Sequence, residues 1–216
     1  MVWNANLPTV RTTQLDLAYG IIDQVMASGH RDGDRLRGSV VIDAAPGLGK
    51  TTIATRYARD FHRRAYRREG PDTPEGHQRL PVAFIPLIAG ITLKGLNQKL
   101  LELYGHPGAD RATSSRLASL AVDCVTSCQT RLVVIDDLHF VDFKHRNGVE
   151  VSNHLKWLAN EMPVTFIYTG TAVREEVLRR GPTGRAGGVR ANIPPGHSLP
   201  GCPVHDRHRR RVPGLG

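Results

Sequence analysis

Long apolar runs are missing from this chain. No stretch of its 216 residues approaches the roughly 18 consecutive apolar residues of a membrane span, so no membrane partner is expected. Cysteine is scarce too. Cys124, Cys128 and Cys202 are too few for a disulfide framework, which sets aside the stapled secreted domain and leaves reduced thiols as the expectation. The opening residues, MVWNANLPTVRTTQ, carry neither a basic n-region nor an apolar h-region, and a cytoplasmic protein is expected. No internal repeat is visible.

What is present suffices for one core. Hydrophobic residues make up 40% of the chain, enough for a buried interior, and 216 residues fit one domain with a short appendage. The net charge is +9, which invites a nucleic-acid reading. Its distribution tempers that: residues 181–216 hold six Arg against one Asp, so more than half of the excess sits in the last sixth of the chain.

Periodicity organises residues 1–180 into an alternating pattern. Leu15, Ala18, Ile22, Val25 and Met26 fall at helical spacing, predicting a helix over about 12–28. Ser39 to Ile42 reads as a buried strand, followed by a helix from Thr51 with Ile53, Ala54, Tyr57, Ala58 and Phe61 on one face. RRAYRREGPDTPEGHQR, residues 63–79, reads as a basic loop punctuated by Pro and Gly. PVAFIPLIA, RLVVIDD and PVTFIYTG are further strands. LKGLNQKLLELYG, residues 114–128 and EVSNHLKWLANEM are further helices, and AVREEVLRR begins another. Uninterrupted apolar strands alternating with helices predict an α/β fold, a parallel sheet covered on both faces. From Gly181 the pattern stops. Eight Gly and six Pro in 36 residues leave nothing periodic to bury, and 181–216 is expected to be irregular or disordered.

VVIDAAPGLGKTTIA, residues 40–54, carries the chemistry. It ends as a phosphate-binding loop, G-x-x-x-x-G-K-[ST], with Ala44 in place of the first glycine. The loop spans 44–51, and Ala45, Pro46, Gly47, Leu48, Gly49, Lys50, Thr51 and Thr52 are the candidate nucleotide-binding residues. Backbone N–H groups in such a loop wrap phosphates, with the next helix pointing its positive end at them. Lys50 would neutralise β/γ-phosphate charge and Thr51 would ligate Mg²⁺. Alanine at position 44 is compatible with the turn if φ is negative there.

The strand of residues 132–137 ends in Asp136 and Asp137, 85 residues after Thr51, as a Walker B pattern does. Buried parallel strands deliver such carboxylates at their C-terminal edge, where ligands bind. Asp136 would hold Mg²⁺, and Asp137 would orient and deprotonate the attacking water. Most ATPases of this class place Glu there, and Asp is one methylene shorter. The next strand, 164–171, ends in Thr169-Gly170-Thr171. Either threonine could contact the γ-phosphate or the lytic water, and either could instead cap the following helix.

Other polar residues have plainer readings. His139 could join the catalysis or simply hydrogen-bond locally. Cys124 and Cys128 share a helical face and read as core. His197, Cys202, His205 and His208 resemble a ligand set, but an irregular tail offers nothing to orient them. Arg174, Arg179 and Arg180 could reach a neighbouring subunit's phosphate or form a solvated helix face.

These motifs together with VVIDDLHF and VSNHLKWLANEMPVTFIYTGT make residues 10–180 resemble a TniB/TnsC-type transposition ATPase of the AAA+ class. The resemblance rests on Asp136, Asp137 and His139, then Asn153, Leu155, Lys156, Leu158, Asn160 and Glu161, then Gly170 and Thr171. It implies an ATP-dependent, homo-oligomeric regulator that assembles on duplex DNA and activates a transposase. Lys50, Asp137 and Thr169 would be catalytic, Thr169 as the sensor. A helicase-loader or replication-type ATPase of the same fold is the alternative, as is a non-hydrolysing ATP-dependent switch.

The family pattern continues past the sensor strand into a fifth strand beside the phosphate-loop strand, often with a helical lid. Here both are expected to be missing, through truncation or a shifted frame; a genuine basic tail touching DNA is the other reading. Without a fifth strand, Val40 to Asp43 would form an exposed apolar edge unless the tail or another subunit covered it, predicting poor solubility or obligate assembly.

Overall fold

The structure, a computed structural model, describes residues 12–31, 38–109, 113–171 and 189–192. Ten elements run in the order α1 (Thr13–Arg31), β1 (Ser39–Asp43), α2 (Lys50–Glu69), β2 (Val82–Pro86), α3 (Leu93–Leu103), α4 (Ser114–Ser127), β3 (Leu132–Asp136), α5 (Arg146–Glu161), β4 (Thr165–Gly170) and β5 (Val189–Asn192). A 3-10 turn, Leu138–Phe140, follows β3. The strands form one parallel sheet in the order β2-β3-β4-β1-β5.

Alternation along each strand divides the core in two. Val40 and Ile42 of β1, Leu132 and Val134 of β3 and Ile167 of β4 pack with Ile22 of α1 and Ile53, Ala54 and Tyr57 of α2. Their neighbours Val41, Val133, Ile135, Phe166 and Tyr168 face the other way, against Leu96 and Leu100 of α3, Leu117 and Ala121 of α4, and Leu155 and Leu158 of α5. Because both faces are covered, these strands carry no polar alternation. Each fully buried Leu or Ile contributes about 2 kcal/mol.

Two sequence expectations need correcting. The first is the missing fifth strand. Val189–Asn192, inside the segment expected to be irregular, lies parallel to β1 in the register Val40↔Val189 to Asp43↔Asn192. The edge of β1 is therefore paired rather than exposed, which removes the reason given above for expecting poor solubility. A four-residue strand that pairs through its backbone needs no apolar run, so Val-Arg-Ala-Asn carried no signal. The second is the loop expected from residue 63: α2 continues to Glu69 and stops at Gly70, whose φ is 79°. Arginine is a good helix former, and Ala65, 2% exposed, anchors this last stretch to the core. Residues 172–180, where a further helix was expected, lie outside the described residues, as does any lid.

Candidate nucleotide site

The C-terminal edge of the sheet gathers β1, β3 and β4 around the start of α2. After Asp43 the chain turns out through Ala44 and Ala45 and re-enters as α2 at Lys50. Ala44 is nearly buried and is not among the positive-φ residues, so the turn does not require glycine there. Gly47 and Gly49 do need their freedom: both have φ of 80°, a left-handed conformation that side chains resist. Gly49 caps α2 without a side-chain hydrogen bond, and the first turn holds no acidic residue. The first N–H groups of α2 and the positive end of its dipole are thus free to serve an anion.

Lys50 is 8% exposed. Its Nζ donates to the carbonyl oxygens of Ala44 at 2.8 Å and Ala45 at 3.0 Å, and to Thr171 Oγ1 at 3.2 Å. These neutral acceptors hold the ammonium at the mouth of the loop, ready to exchange for a charged oxygen. Thr51 Oγ1 donates to Asp136 Oδ1 at 3.2 Å, joining the first turn of α2 to the end of β3. That same Oδ1 accepts a hydrogen bond from Thr169 Oγ1, which in turn accepts the Asp137 N–H at 3.2 Å. Asp136 and Thr169 are both buried.

Asp137 breaks the strand. With φ 59° and ψ 42° it is left-handed, which Asp tolerates better than most residues. Asp137 Oδ1 lies 3.8 Å from His139 Nδ1, and the His139 ring packs on Phe140 with centroids 4.5 Å apart. A cavity of about 440 Å³ is lined by Pro46, Gly47, Gly49, Lys50, Thr51, Thr52, Asp137, His139 and Thr171.

The sequence candidates thus fall into two layers. Lys50, Thr51, Thr52, Pro46, Gly47, Gly49 and Asp137 face the cavity, while Asp136 and Thr169 stand behind them. Ala45 and Leu48 complete the loop, with the Leu48 N–H donating to the Ala45 carbonyl at 3.4 Å. Of the two threonines ending β4, Thr171 lines the cavity and Thr169 supports Asp136. Strand alternation puts residues two apart on one face, so only the end of β4, where the strand stops at Gly170, could separate them.

Cys124 and Cys128 lie on α4 and at its end, away from this edge, as free thiols. Burial pushes the Cys124 thiol up to about 11, so it is no nucleophile at neutral pH. Arg174, Arg179, Arg180, His197, Cys202, His205 and His208 lie outside the described residues. Among the described residues no cluster of three His, Cys, Asp or Glu forms a metal site, and no helix is long and apolar enough to cross a membrane. For a hard divalent cation such as Mg²⁺, which takes few protein oxygens, the converging Thr51 hydroxyl and Asp136 carboxylate are a fitting pair.

Known proteins supply the wider context. The AAA domain family matches residues 33–178. No curated protein matches the chain. Among solved structures, the ORC1 protein of Aeropyrum pernix in complex with DNA superposes with a TM-score of 0.65 at 16% identity, covering 90% of this chain and 48% of that one. The Aeropyrum pernix ORC2 protein in ADPNP–ADP complexes gives 0.58 at 16% identity, over 82% and 46% of the two chains. Cdc6p of Pyrobaculum aerophilum gives 0.57 at 13% identity, over 86% and 47%. The chain spans about half the length of these proteins, and at such identities the likeness concerns the fold. By the family match over most of its length, with the phosphate loop and the paired aspartates at one sheet edge, the chain belongs to the AAA domain family.

Proposed function

We propose that this domain binds ATP with Mg²⁺ and hydrolyses it weakly or under DNA stimulation, and that nucleotide state controls its assembly as a homo-oligomer on duplex DNA, where it activates a transposase. The observation that carries the reading is the grouping of Lys50, Thr51, Asp136 and Asp137 at one sheet edge, around a cavity that opens on the uncapped end of α2. The loop N–H groups and Lys50 bind the β- and γ-phosphates, Lys50 giving up the Ala44 and Ala45 carbonyls for phosphate oxygens. Thr51 and Asp136 would hold Mg²⁺, which when bound offsets charge on the β- and γ-phosphates. Asp137 orients the attacking water and accepts its proton. Thr169 acts through Asp136, keeping the carboxylate turned towards Thr51, and Thr171 presents its hydroxyl to the γ-phosphate side of the cavity.

The transposition role rests on the Asp136-Asp137-Leu138-His139 run and the helix block from Asn153 to Glu161. A second reading, a replication-type ATPase or helicase loader, is supported by the likeness to the ORC and Cdc6 structures, one of them solved with DNA. Both share the same nucleotide chemistry, so the first experiment is ATP turnover with and without duplex DNA. DNA-stimulated hydrolysis is expected, with Lys50→Ala and Asp137→Asn each lowering kcat by about 100-fold or more. Tight ATP binding without turnover in the native sequence would overturn hydrolysis and leave a non-hydrolysing switch. Recruitment of a purified transposase or ring helicase to the ATP-bound, DNA-bound form then separates the two roles.

A further inference from the structure

The outward face of α2 is built of arginine. From the phosphate loop it presents Thr52, then Arg59, Arg63 and Arg67, all exposed, with the half-buried Arg56 among them. Residues four apart rise about 6 Å along a helix, so the three exposed guanidinium groups form a row on one rigid rod. The other cations of this helix are already engaged. Arg64 lies 3.5 Å from Asp23 and 5.7 Å from the Tyr57 ring centroid, and Arg68 pairs with Glu69. Among the described residues, Arg59, Arg63 and Arg67 have no ion-pair partner, and Asp60, the acid nearest them on α2, accepts from Tyr19 at 3.4 Å.

We propose that this row is a contact surface for the phosphate backbone of duplex DNA. A helix face evolved only for solubility mixes charges of both signs, because like charges at i,i+4 repel and cost helix stability. Here three like charges stand in succession on the face opposite the core. The residue type is the one whose planar fork takes phosphate oxygens in pairs. The spacing of about 6 Å is close to two per-strand charge repeats of B-DNA, about 3.4 Å each. The row begins about two helical turns beyond Thr52, which lines the nucleotide cavity, so DNA held here would lie along the helix that follows the phosphate loop. The contact is to phosphates and carries no sequence preference.

The assignment rests on the proposed DNA-bound function, and the test separates the two. Binding of the full chain to a fluorescein-labelled duplex of arbitrary sequence is measured over a salt series, with ATP and without. Arg59→Ala/Arg63→Ala/Arg67→Ala is expected to weaken binding about 10-fold or more and to reduce the slope of log K against log salt by about 2.7, roughly 0.9 per lost phosphate contact. Arg59→Lys/Arg63→Lys/Arg67→Lys should restore most of the slope. ATP affinity should be unchanged in both, which also reports that the fold is intact; should the triple variant not fold, the single Arg63→Ala is read for a slope loss of about 0.9. An unchanged slope on a duplex that still binds overturns the surface and leaves the DNA function standing. Salt-sensitive binding that is lost with the row but ignores ATP keeps the surface and overturns the ATP-controlled function. No duplex binding at any salt overturns both.

Discussion

The two ends of the sheet use polar residues in opposite ways. At the C-terminal edge, Lys50 rests on two carbonyls and a hydroxyl, and Asp136 is shared between Thr51 and Thr169 around an open cavity. At the N-terminal edge, where β2 and β3 begin, Arg79 is 5% exposed and its guanidinium is saturated. It donates to the carbonyl oxygens of Gly70 at 3.0 Å, Asp72 at 2.8 Å and Glu69 at 3.4 Å, to Glu69 Oε2 at 3.1 Å and to Gln129 Oε1. Arg131 closes the cluster with a bidentate pair to Glu69, at 2.9 and 3.0 Å. A cation whose donors all end on the protein holds a fold together. A cation held by neutral acceptors beside a cavity is available to a ligand.

Replacing Arg79 by Met should show the largest effect. The loop from Gly70 to Gln78, with its Asp72↔Gln78 bridge, would lose its central donor, and three carbonyl oxygens would be left short. A loss of about 3 kcal/mol in unfolding free energy is expected, readable as a lower urea midpoint. ATP affinity of the folded fraction should not change, because no residue of this cluster lines the nucleotide cavity. A variant that folds normally yet loses ATP binding would erase the distinction between the two ends.

Thr169→Val sharpens the comparison from the other end. It keeps the shape but removes the hydroxyl that donates to Asp136 and accepts the Asp137 N–H. Stability should fall by only about 1–2 kcal/mol. The Mg²⁺ dependence of ATP turnover should shift to higher concentration by about 10-fold or more, since residues that orient a ligand matter nearly as much as the ligand itself. An unchanged Mg²⁺ dependence would reduce Thr169 to a core residue.

How much of this was legible in the sequence differs between the ends as well. The phosphate loop and the paired aspartates announce themselves, because a local chain pattern builds most of that site. Buried strands were legible for the same reason: Leu132 to Ile135 and Phe166 to Tyr168 have no polar member. The Arg79 cluster is invisible because its partners lie 10, 50 and 62 residues apart in pairwise separation, and nothing in HQRLP marks a buried cation. The division of labour between Thr169 and Thr171 depends on where β4 ends, and strand ends are poorly defined by periodicity. β5 was missed because Val189–Asn192 is a four-residue segment joined to β1 by main-chain pairing, which leaves no apolar run to read.

Acidification offers the finest test of the contrast. Burial pushes the Glu69 carboxyl up, but hydrogen bonds from Arg68 and Arg131, with their charges, outweigh it and hold the group below its ordinary value. The unfolded chain therefore takes up this proton first as pH falls. Stability from Glu69 is complete above the unfolded value, about 4.3, and drains away as pH drops through the lower native one. Glu69→Gln cannot be protonated, so its urea midpoint should fall less steeply than that of the native sequence below about pH 4.5. The two curves should run parallel near neutral pH and converge only in that acid window, by well under 1 kcal/mol at this partly exposed group. Parallel curves throughout would mean that the N-terminal edge is held by packing and by Arg79's carbonyl bonds, with the carboxylate a bystander.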